Sequence, residues 1–249
     1  MAQTFPGRRK RWLIRICMLI IVLLYVWNYG YSSLTCHCIR TNPDAAIALI
    51  SSGIGNIDSL TVPSIVGKLF IRMDLDATHT PLELACRYGN VAVVEACLNR
   101  GADPNYAPEP FTLPLESAVL WNNPTEFEIV KLLVENGVDV DKKSYYAVRT
   151  PLFNLAYKLS YSKDPRIEDS ICRLIGSGES TIAADGWSIL YPVIGADRSA
   201  LLKRLLYDYH VEPIPAPDGR TPYEYAEEAC ATACMDVLTE YEGQFNSLE

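Results

Sequence analysis

The sequence predicts an all-α fold, a solenoid of about five helix-pair repeats that follows one N-terminal transmembrane helix. Two observations support this prediction: a short turn motif recurs roughly every 33 to 38 residues, and a long apolar segment lies near the N-terminus. The composition agrees with a folded chain, because 49% of the 249 residues are hydrophobic and 21% are charged.

The N-terminal segment has the pattern of a membrane signal. Residues 8–11 read Arg-Arg-Lys-Arg, and a mostly apolar run extends from Ile16 to Leu34. Nineteen helical residues at about 1.5 Å each span roughly 28 Å, close to the ~30 Å hydrocarbon core. The pattern predicts a basic cytoplasmic head at 1–11 and a transmembrane anchor at 12–34. A cleaved signal peptide and a lipidated Cys36 are the alternatives.

Charge is unevenly distributed along the chain. Residues 1–40 carry six basic side chains and no acidic ones, which is +6 within a net charge of −8. Subtracting +6 from −8 leaves −14 for residues 41–249. Because nucleic-acid binding depends on a basic surface, this body is not expected to bind nucleic acid. The positive head is expected to remain in the cytoplasm, so the body is exported. Because no N-glycosylation acceptor site occurs in the sequence, a bacterial envelope is favoured, and the prediction is a single-pass protein of the bacterial inner membrane with a periplasmic body.

Five segments share a spacing, and each begins a repeated unit. They start at Thr80, Leu113, Thr150, Ser188 and Thr221, and successive starts differ by 33, 37, 38 and 33 residues. Three of them read Thr-Pro, which places proline at the first position of a helix. Leu113 replaces the capping threonine, so the helix start of the second unit is expected to be less well satisfied.

Local signals mark the ends of the predicted helices. Thr80 with Glu83, and Thr221 with Glu224, predict capping boxes that satisfy free backbone amides at a helix start. Gly101 stands where a second helix is expected to end and the backbone needs a left-handed residue. These signals agree with the boundaries that the repeat spacing gives.

The clearest unit, residues 78–105, reads THTPLELACRYGNVAVVEACLNRGADPN and resembles the ankyrin repeat. The resemblance covers residues 78–241, after a juxtamembrane segment at 35–77 with a degenerate half-repeat and before a tail at 242–249. It implies a protein that binds other proteins. Small exported bacterial ankyrin proteins resemble immunity proteins against toxins, including phospholipase effectors of type VI secretion. The resemblance therefore implies a toxin or effector with a basic surface as the partner.

The resemblance also implies where a partner binds. Ankyrin repeats bind proteins through finger tips and through the concave face of the first helices, and aromatic and arginine side chains dominate interface energies. The side chains of this kind at those positions are Arg87, Tyr88, Trp121, Tyr145, Tyr146, Arg149, Tyr157 and Trp187. For the two tryptophans, partial burial between repeats is the alternative.

The sequence contains no catalytic or metal-binding pattern that stands out. The three histidines, His37, His79 and His210, lie in different units, and no nucleotide-binding, hydrolase or zinc-protease motif occurs. Cys36-His37-Cys38 lacks further nearby ligands for a closed zinc site. The prediction is a binding module that is not an enzyme and has no cofactor and no metal. The alternative function is a structural scaffold of an envelope membrane complex.

Overall fold

The computed structural model describes residues 34–58, 79–107, 112–121, 123–144 and 149–245. The chain divides into two compact units, Met1–Asp103 and Pro104–Glu249. Within the described residues both units are helical, and extended pairing is limited to one antiparallel bridge between Ile182 and Ser188. The all-α class that the repeats predict is therefore confirmed.

The first unit is built around one central helix. Its helices are α1 (Pro43–Ser51), α2 (Pro81–Arg87) and α3 (Val91–Asn99), and residues 34–41 are helical as well. The helix α3 packs against both α1 and α2. Its apolar side chains Val94 and Cys97 are buried, because the i, i+3 spacing places them on the same face.

The second unit repeats the same helix pair. Its helices are α4 (Pro114–Leu120), α5 (Glu126–Glu135), α6 (Pro151–Lys158), α7 (Arg166–Gly176), α8 (Leu190–Gly195), α9 (Ser199–Tyr207), α10 (Pro222–Glu228) and α11 (Thr232–Phe245). The first helices α4, α6, α8 and α10 stack in a row, and each packs on the second helix that follows it. This stacking is the helix-pair solenoid that the repeat spacing predicts.

Hydrogen bonds at the helix starts follow the sequence signals. The Thr80 hydroxyl accepts a hydrogen bond from the Glu83 backbone N–H at 3.1 Å, while the Glu83 carboxylate pairs with His79. Thr221 and Glu224 form both bonds of a capping box. These contacts satisfy amides that have no partner inside the helix, and they fix where the chain enters it.

Side chains in the turns between helix pairs, here called fingers, join successive repeats of the second unit. The Asn105 side-chain oxygen accepts from the Asp139 N–H at 2.6 Å, and its amide donates to the Gly137 carbonyl at 3.1 Å. The Asp141 carboxylate accepts from the Ser180 N–H at 2.9 Å. Two successive pairs of fingers are therefore joined by a side chain that bonds to backbone.

Two cysteines occupy core positions in the first unit. Cys86 in α2 and Cys97 in α3 are fully buried, as expected for thiols that replace small and branched apolar residues. Burial raises the pKa of both thiols, that of Cys97 to about 12. Both are free thiols with little thiolate character at neutral pH.

The predicted membrane location has to be corrected. The predicted anchor at 12–34 lies outside the described residues except for Leu34, which is part of the helical residues 34–41. No helix in the described part of the chain is long and apolar enough to cross a membrane. The longest there, α11, has 14 residues and spans about 21 Å, short of the ~30 Å hydrocarbon core. The prediction of a single-pass inner-membrane protein with a periplasmic body is therefore wrong on this finding.

Candidate partner-binding pocket

The finger that precedes α8 is a tight hairpin that positions Trp187. Its Ala183 N–H donates to the Trp187 carbonyl at 2.8 Å, and the Asp185 carboxylate accepts from the Trp187 N–H at 3.3 Å. Gly186 has φ +87°, and an added Cβ there would lie 3.2 Å from the Pro217 side chain. The positive φ therefore favours glycine at this turn, and a larger residue would also press against Pro217.

Three aromatic rings meet beside this finger. Trp187 and Tyr225 each lie edge-to-face with Tyr191, at centroid distances of 5.1 Å, and Trp187 lies 6.3 Å from Tyr225. Rings prefer this arrangement because the positive edge of one faces the negative face of another. The cluster joins α8, α10 and the finger into one aromatic surface.

Tyr191 is the buried member of the aromatic cluster. Its side chain is buried, and its hydroxyl lies 2.8 Å from the Ile214 carbonyl and 3.0 Å from the Arg220 carbonyl, to which it donates. Burial raises the pKa of Tyr191, so the hydroxyl keeps its proton and remains a donor. The hydrogen bonds hold the ring in place against Trp187 and Tyr225.

Arg149 and Tyr157 form the opposite side of the site. The Arg149 guanidinium carbon lies 3.8 Å from the centroid of the Tyr157 ring, a close cation–π contact. Tyr157 is 47% exposed although it lies on α6, so one part of the ring remains available for contact. The guanidinium therefore restricts the orientation of the tyrosine ring.

Together these residues line a pocket of about 520 Å³, here called the aromatic pocket. Its lining consists of Arg149, Phe153, Tyr157, Ala183, Ala184, Asp185, Trp187, Tyr191, Pro192 and Tyr225. Three of the predicted binding residues, Arg149, Tyr157 and Trp187, therefore lie around one cavity. The size is in the range of ligand-binding clefts, and the walls are mostly aromatic with one cation and one carboxylate.

Sequence reasoning missed the pocket-lining aromatic residues that lie on the first helices of the repeats. Phe153 and Tyr191 stand three positions after Thr150 and Ser188, which begin their units, and Tyr225 stands four positions after Thr221. Aromatic residues at these positions are a signal that could have been used. The signal needs the stacking of α6, α8 and α10 to be known, because only stacking shows that these positions share a cavity.

The other predicted binding residues are placed separately. Arg87 and Tyr88 belong to the first unit, where Arg87 Nη1 lies 3.1 Å from His79 Nε2 and Tyr88 is 41% exposed. Trp121 ends α4 and is 52% exposed, so it is not buried between repeats. Tyr145 and Tyr146 lie outside the described residues. A binding role for these five residues stays a prediction.

The first turn of α6 is capped by a residue that is distant in the sequence. The Thr150 side chain makes no capping hydrogen bond, and the buried Glu179 carboxylate accepts from the Leu152 N–H at 3.0 Å. Burial, with a smaller contribution from the Asp141 charge, raises the pKa of Glu179 to about 7. This carboxyl is therefore partly protonated near neutral pH.

A buried ion pair lies at the other end of α6. Lys158 Nζ bonds to the Glu126 carboxylate of α5, and both side chains are almost completely buried. Burial raises the pKa of Glu126, while the hydrogen bond from Lys158 opposes that shift. The pair fixes α6 against α5 by a specific contact.

The chemical groups of the aromatic pocket suit binding more than catalysis. Its titratable groups are one arginine, one exposed aspartate and three tyrosines, without the nucleophile-and-base pair that covalent catalysis requires. Among the described residues, no group of three histidine, cysteine, aspartate or glutamate side chains is arranged to hold a metal ion. The predicted Cys36-His37-Cys38 fragment belongs to the residues searched.

Comparison with known proteins identifies the class of fold. A family model described as "Ankyrin repeats (3 copies)" matches residues 61–144, which confirms the predicted ankyrin repeats. Such repeats generally bind protein partners, and proteins built from them are typically non-catalytic.

A solved structure, that of the ankyrin-repeat protein EF0377, is similar over most of the chain. It has a TM-score of 0.64 and 18% sequence identity, and the match covers 84% of this chain and 98% of that one. At this identity the likeness shows the fold alone. A comparison with curated protein sequences gives no match.

Proposed function

We propose that the chain is a protein–protein interaction module whose partner docks on the aromatic pocket. The observation that carries this proposal is the convergence of Arg149, Tyr157 and Trp187 with Tyr225 around one cavity. Tryptophan, tyrosine and arginine are the residues most enriched among those that dominate binding energy. A rigid scaffold of stacked first helices holds them, so little conformational freedom is lost when a partner binds.

The narrower proposal concerns the partner. Residues 41–249 carry a charge of −14, since residues 1–40 hold +6 of the net −8. Such a body attracts a basic surface at long range and speeds the encounter with it. Together with the resemblance to immunity proteins, this charge supports a toxin or effector with a basic surface as the partner. Binding would neutralise that partner by covering the surface it needs.

The test uses the full-length chain as bait, with variants that differ only in the aromatic pocket. Trp187→Ala and Tyr157→Ala should each weaken capture of a specific protein, because truncating an anchor residue typically costs about 2–4 kcal/mol, roughly 30- to 1000-fold in affinity. Tyr161→Ala is the matched control, since Tyr161 is an exposed tyrosine near α6 that does not line the pocket.

Both outcomes of this test are informative. Folding of each variant is checked by circular dichroism. A protein that is captured by the native chain and by Tyr161→Ala, and lost with both pocket variants, supports the proposal. Folded pocket variants that capture the same protein as the native chain would show that another surface recognises the partner.

A further inference from the structure

The cation of the aromatic pocket, Arg149, contacts an aromatic ring. Among the described residues, no acidic side chain lies within ion-pair distance of the Arg149 guanidinium, which rests instead on the Tyr157 ring. Elsewhere in the same unit, arginines of similar exposure are paired, as Arg166 is with Asp164. A guanidinium that has no carboxylate partner in the described part of a strongly acidic body is a position where an outside anion can bind without displacing one.

Two aromatic rings of the pocket already contact a guanidinium group. Arg149 covers the Tyr157 ring, and the Arg220 guanidinium carbon lies 5.2 Å from the centroid of Tyr225. Arg220 is neutralised by Asp218 and Glu228. A cationic group of a ligand that approached the Tyr157 ring would be repelled by the charge of Arg149. An anionic group would instead be attracted to that charge.

A second charged residue of the pocket, Asp185, restricts the orientation of such a ligand. Asp185 is exposed there, and its carboxylate already accepts from the Trp187 N–H. An anion is therefore favoured on the Arg149 side and disfavoured on the Asp185 side. The lining also includes the apolar surfaces of Trp187 and Pro192, which suit an uncharged side chain.

We propose that the aromatic pocket takes an apolar side chain of a partner peptide that stands next to an aspartate or glutamate, whose carboxylate pairs with Arg149. This inference rests on the proposed function, since it names the part of the partner that enters the pocket. A volume of about 520 Å³ accommodates one aromatic side chain. The guanidinium lies over the Tyr157 ring, and its N–H groups can form a bidentate pair with a carboxylate.

The test measures binding of short peptides with blocked ends to the full-length chain by titration calorimetry. The four peptides share a polar frame and contain Phe-Glu, Phe-Gln, Phe-Lys or Ala-Glu at the centre. We expect the Phe-Glu peptide to bind best and the Phe-Gln peptide to bind about tenfold more weakly, as expected for the loss of a charge-assisted hydrogen bond. Replacing Phe by Ala should weaken binding by a similar factor.

Variants of the chain assign the preference to Arg149. Arg149→Gln should bind the Phe-Glu and Phe-Gln peptides equally, whereas Arg166→Gln, the matched control outside the pocket, should keep the tenfold difference. A Phe-Lys peptide that binds as well as Phe-Glu would overturn the inference. So would an Arg149→Gln variant that retains the preference for glutamate.

Failure of this inference is distinguishable from failure of the proposed function. If no peptide binds while capture of a protein still requires Trp187 and Tyr157, the acidic anchor is wrong and the interaction module stands. If capture is also insensitive to those two residues, both are wrong. Binding of Phe-Glu that depends on Arg149 supports the inference.

Discussion

Glu179 caps α6 through a hydrogen bond to Leu152, which lies 27 residues before it in the sequence. Its carboxylate accepts from the Leu152 N–H at 3.0 Å, in the first turn of α6, and the same residue follows the end of α7. A buried acid at this position connects the finger that follows one helix pair to the first helix of that pair. The contact also makes the stability of the repeat depend on pH, because the acid is buried.

The first prediction concerns that pH dependence. The pKa of Glu179 is about 7 in the folded chain and usually 4.5, so the folded state holds a proton that the unfolded state releases. Stability therefore falls as pH rises from about 4.5 to about 7, by roughly 3 kcal/mol at most. Glu179→Gln keeps an acceptor for Leu152 but does not titrate. The free energy of unfolding is measured in urea at pH 4.5 and pH 8. Between these two pH values, we expect the stability of the variant relative to the native chain to rise by about 3 kcal/mol.

A matched substitution separates this effect from general acid sensitivity. Glu135 is an exposed glutamate on α5, and Glu135→Gln should follow the native chain at both pH values. If the stability difference between Glu179→Gln and the native chain is the same at pH 4.5 and pH 8, the buried acid does not control the pH dependence.

The second prediction concerns the buried pair of Lys158 and Glu126. Lys158→Met should cost about 3–5 kcal/mol, because it leaves a buried carboxylate without its partner. The double variant with Glu126→Gln should recover much of that loss. Lys131→Met is the control, since Lys131 is exposed and its ion pair is 3.9 Å long, and it should change stability by less than about 1 kcal/mol. Additive effects in the double variant would contradict the coupling.

The third prediction concerns packing in the first unit. Leu98 on α3 is 8% exposed, and Leu98→Ala should reduce the free energy of unfolding by about 2–5 kcal/mol through the cavity that remains. Leu120 on α4 is 51% exposed, so Leu120→Ala should change it by only about 0.5 kcal/mol. Denaturant midpoints measure both. Equal losses would mean that burial does not determine the cost.

The fourth prediction concerns a left-handed turn. Gly101 has φ +85° and open space around an added Cβ, so Gly101→Val should destabilise the chain through backbone strain alone, by at least about 1–2 kcal/mol. Gly243 on α11 also has open space but no positive φ. Gly243→Ala should therefore be neutral or stabilising by up to about 1 kcal/mol. A Gly101→Val variant that unfolds at the native midpoint would show that the turn relaxes without cost.

Local sequence signals predicted the helix pairs because they act over a few residues. Thr80 and Thr221 bond to amides three positions later, and Gly101 supplies a conformation that other residues resist. The same reasoning failed where a non-glycine residue adopts that conformation. Asp197 has φ +49° and Cys230 has φ +55°, both in the left-handed region, at the turns that end α8 and α10.

The binding site was predicted in part for a related reason. Arg149, Tyr157 and Trp187 were found because residue type and repeat position identify them. Tyr191 and Tyr225 were missed, since their position in the pocket depends on how α8 and α10 stack, which involves contacts about 30 residues apart. The membrane prediction rested on an apolar run and a basic cluster near the N-terminus, and no helix in the described part of the chain is long and apolar enough to cross a membrane.

The side chains that join the fingers have a consequence for how this chain can change over evolution. Asn105 reaches a backbone amide 34 residues later, and Asp141 reaches one 39 residues later. Because both bonds hold adjacent fingers together regardless of that difference, the spacing of the fingers does not depend on the length of the repeat. The loop within a helix pair, such as the one between Lys158 at the end of α6 and Arg166 at the start of α7, can therefore change in length without altering the spacing of the fingers.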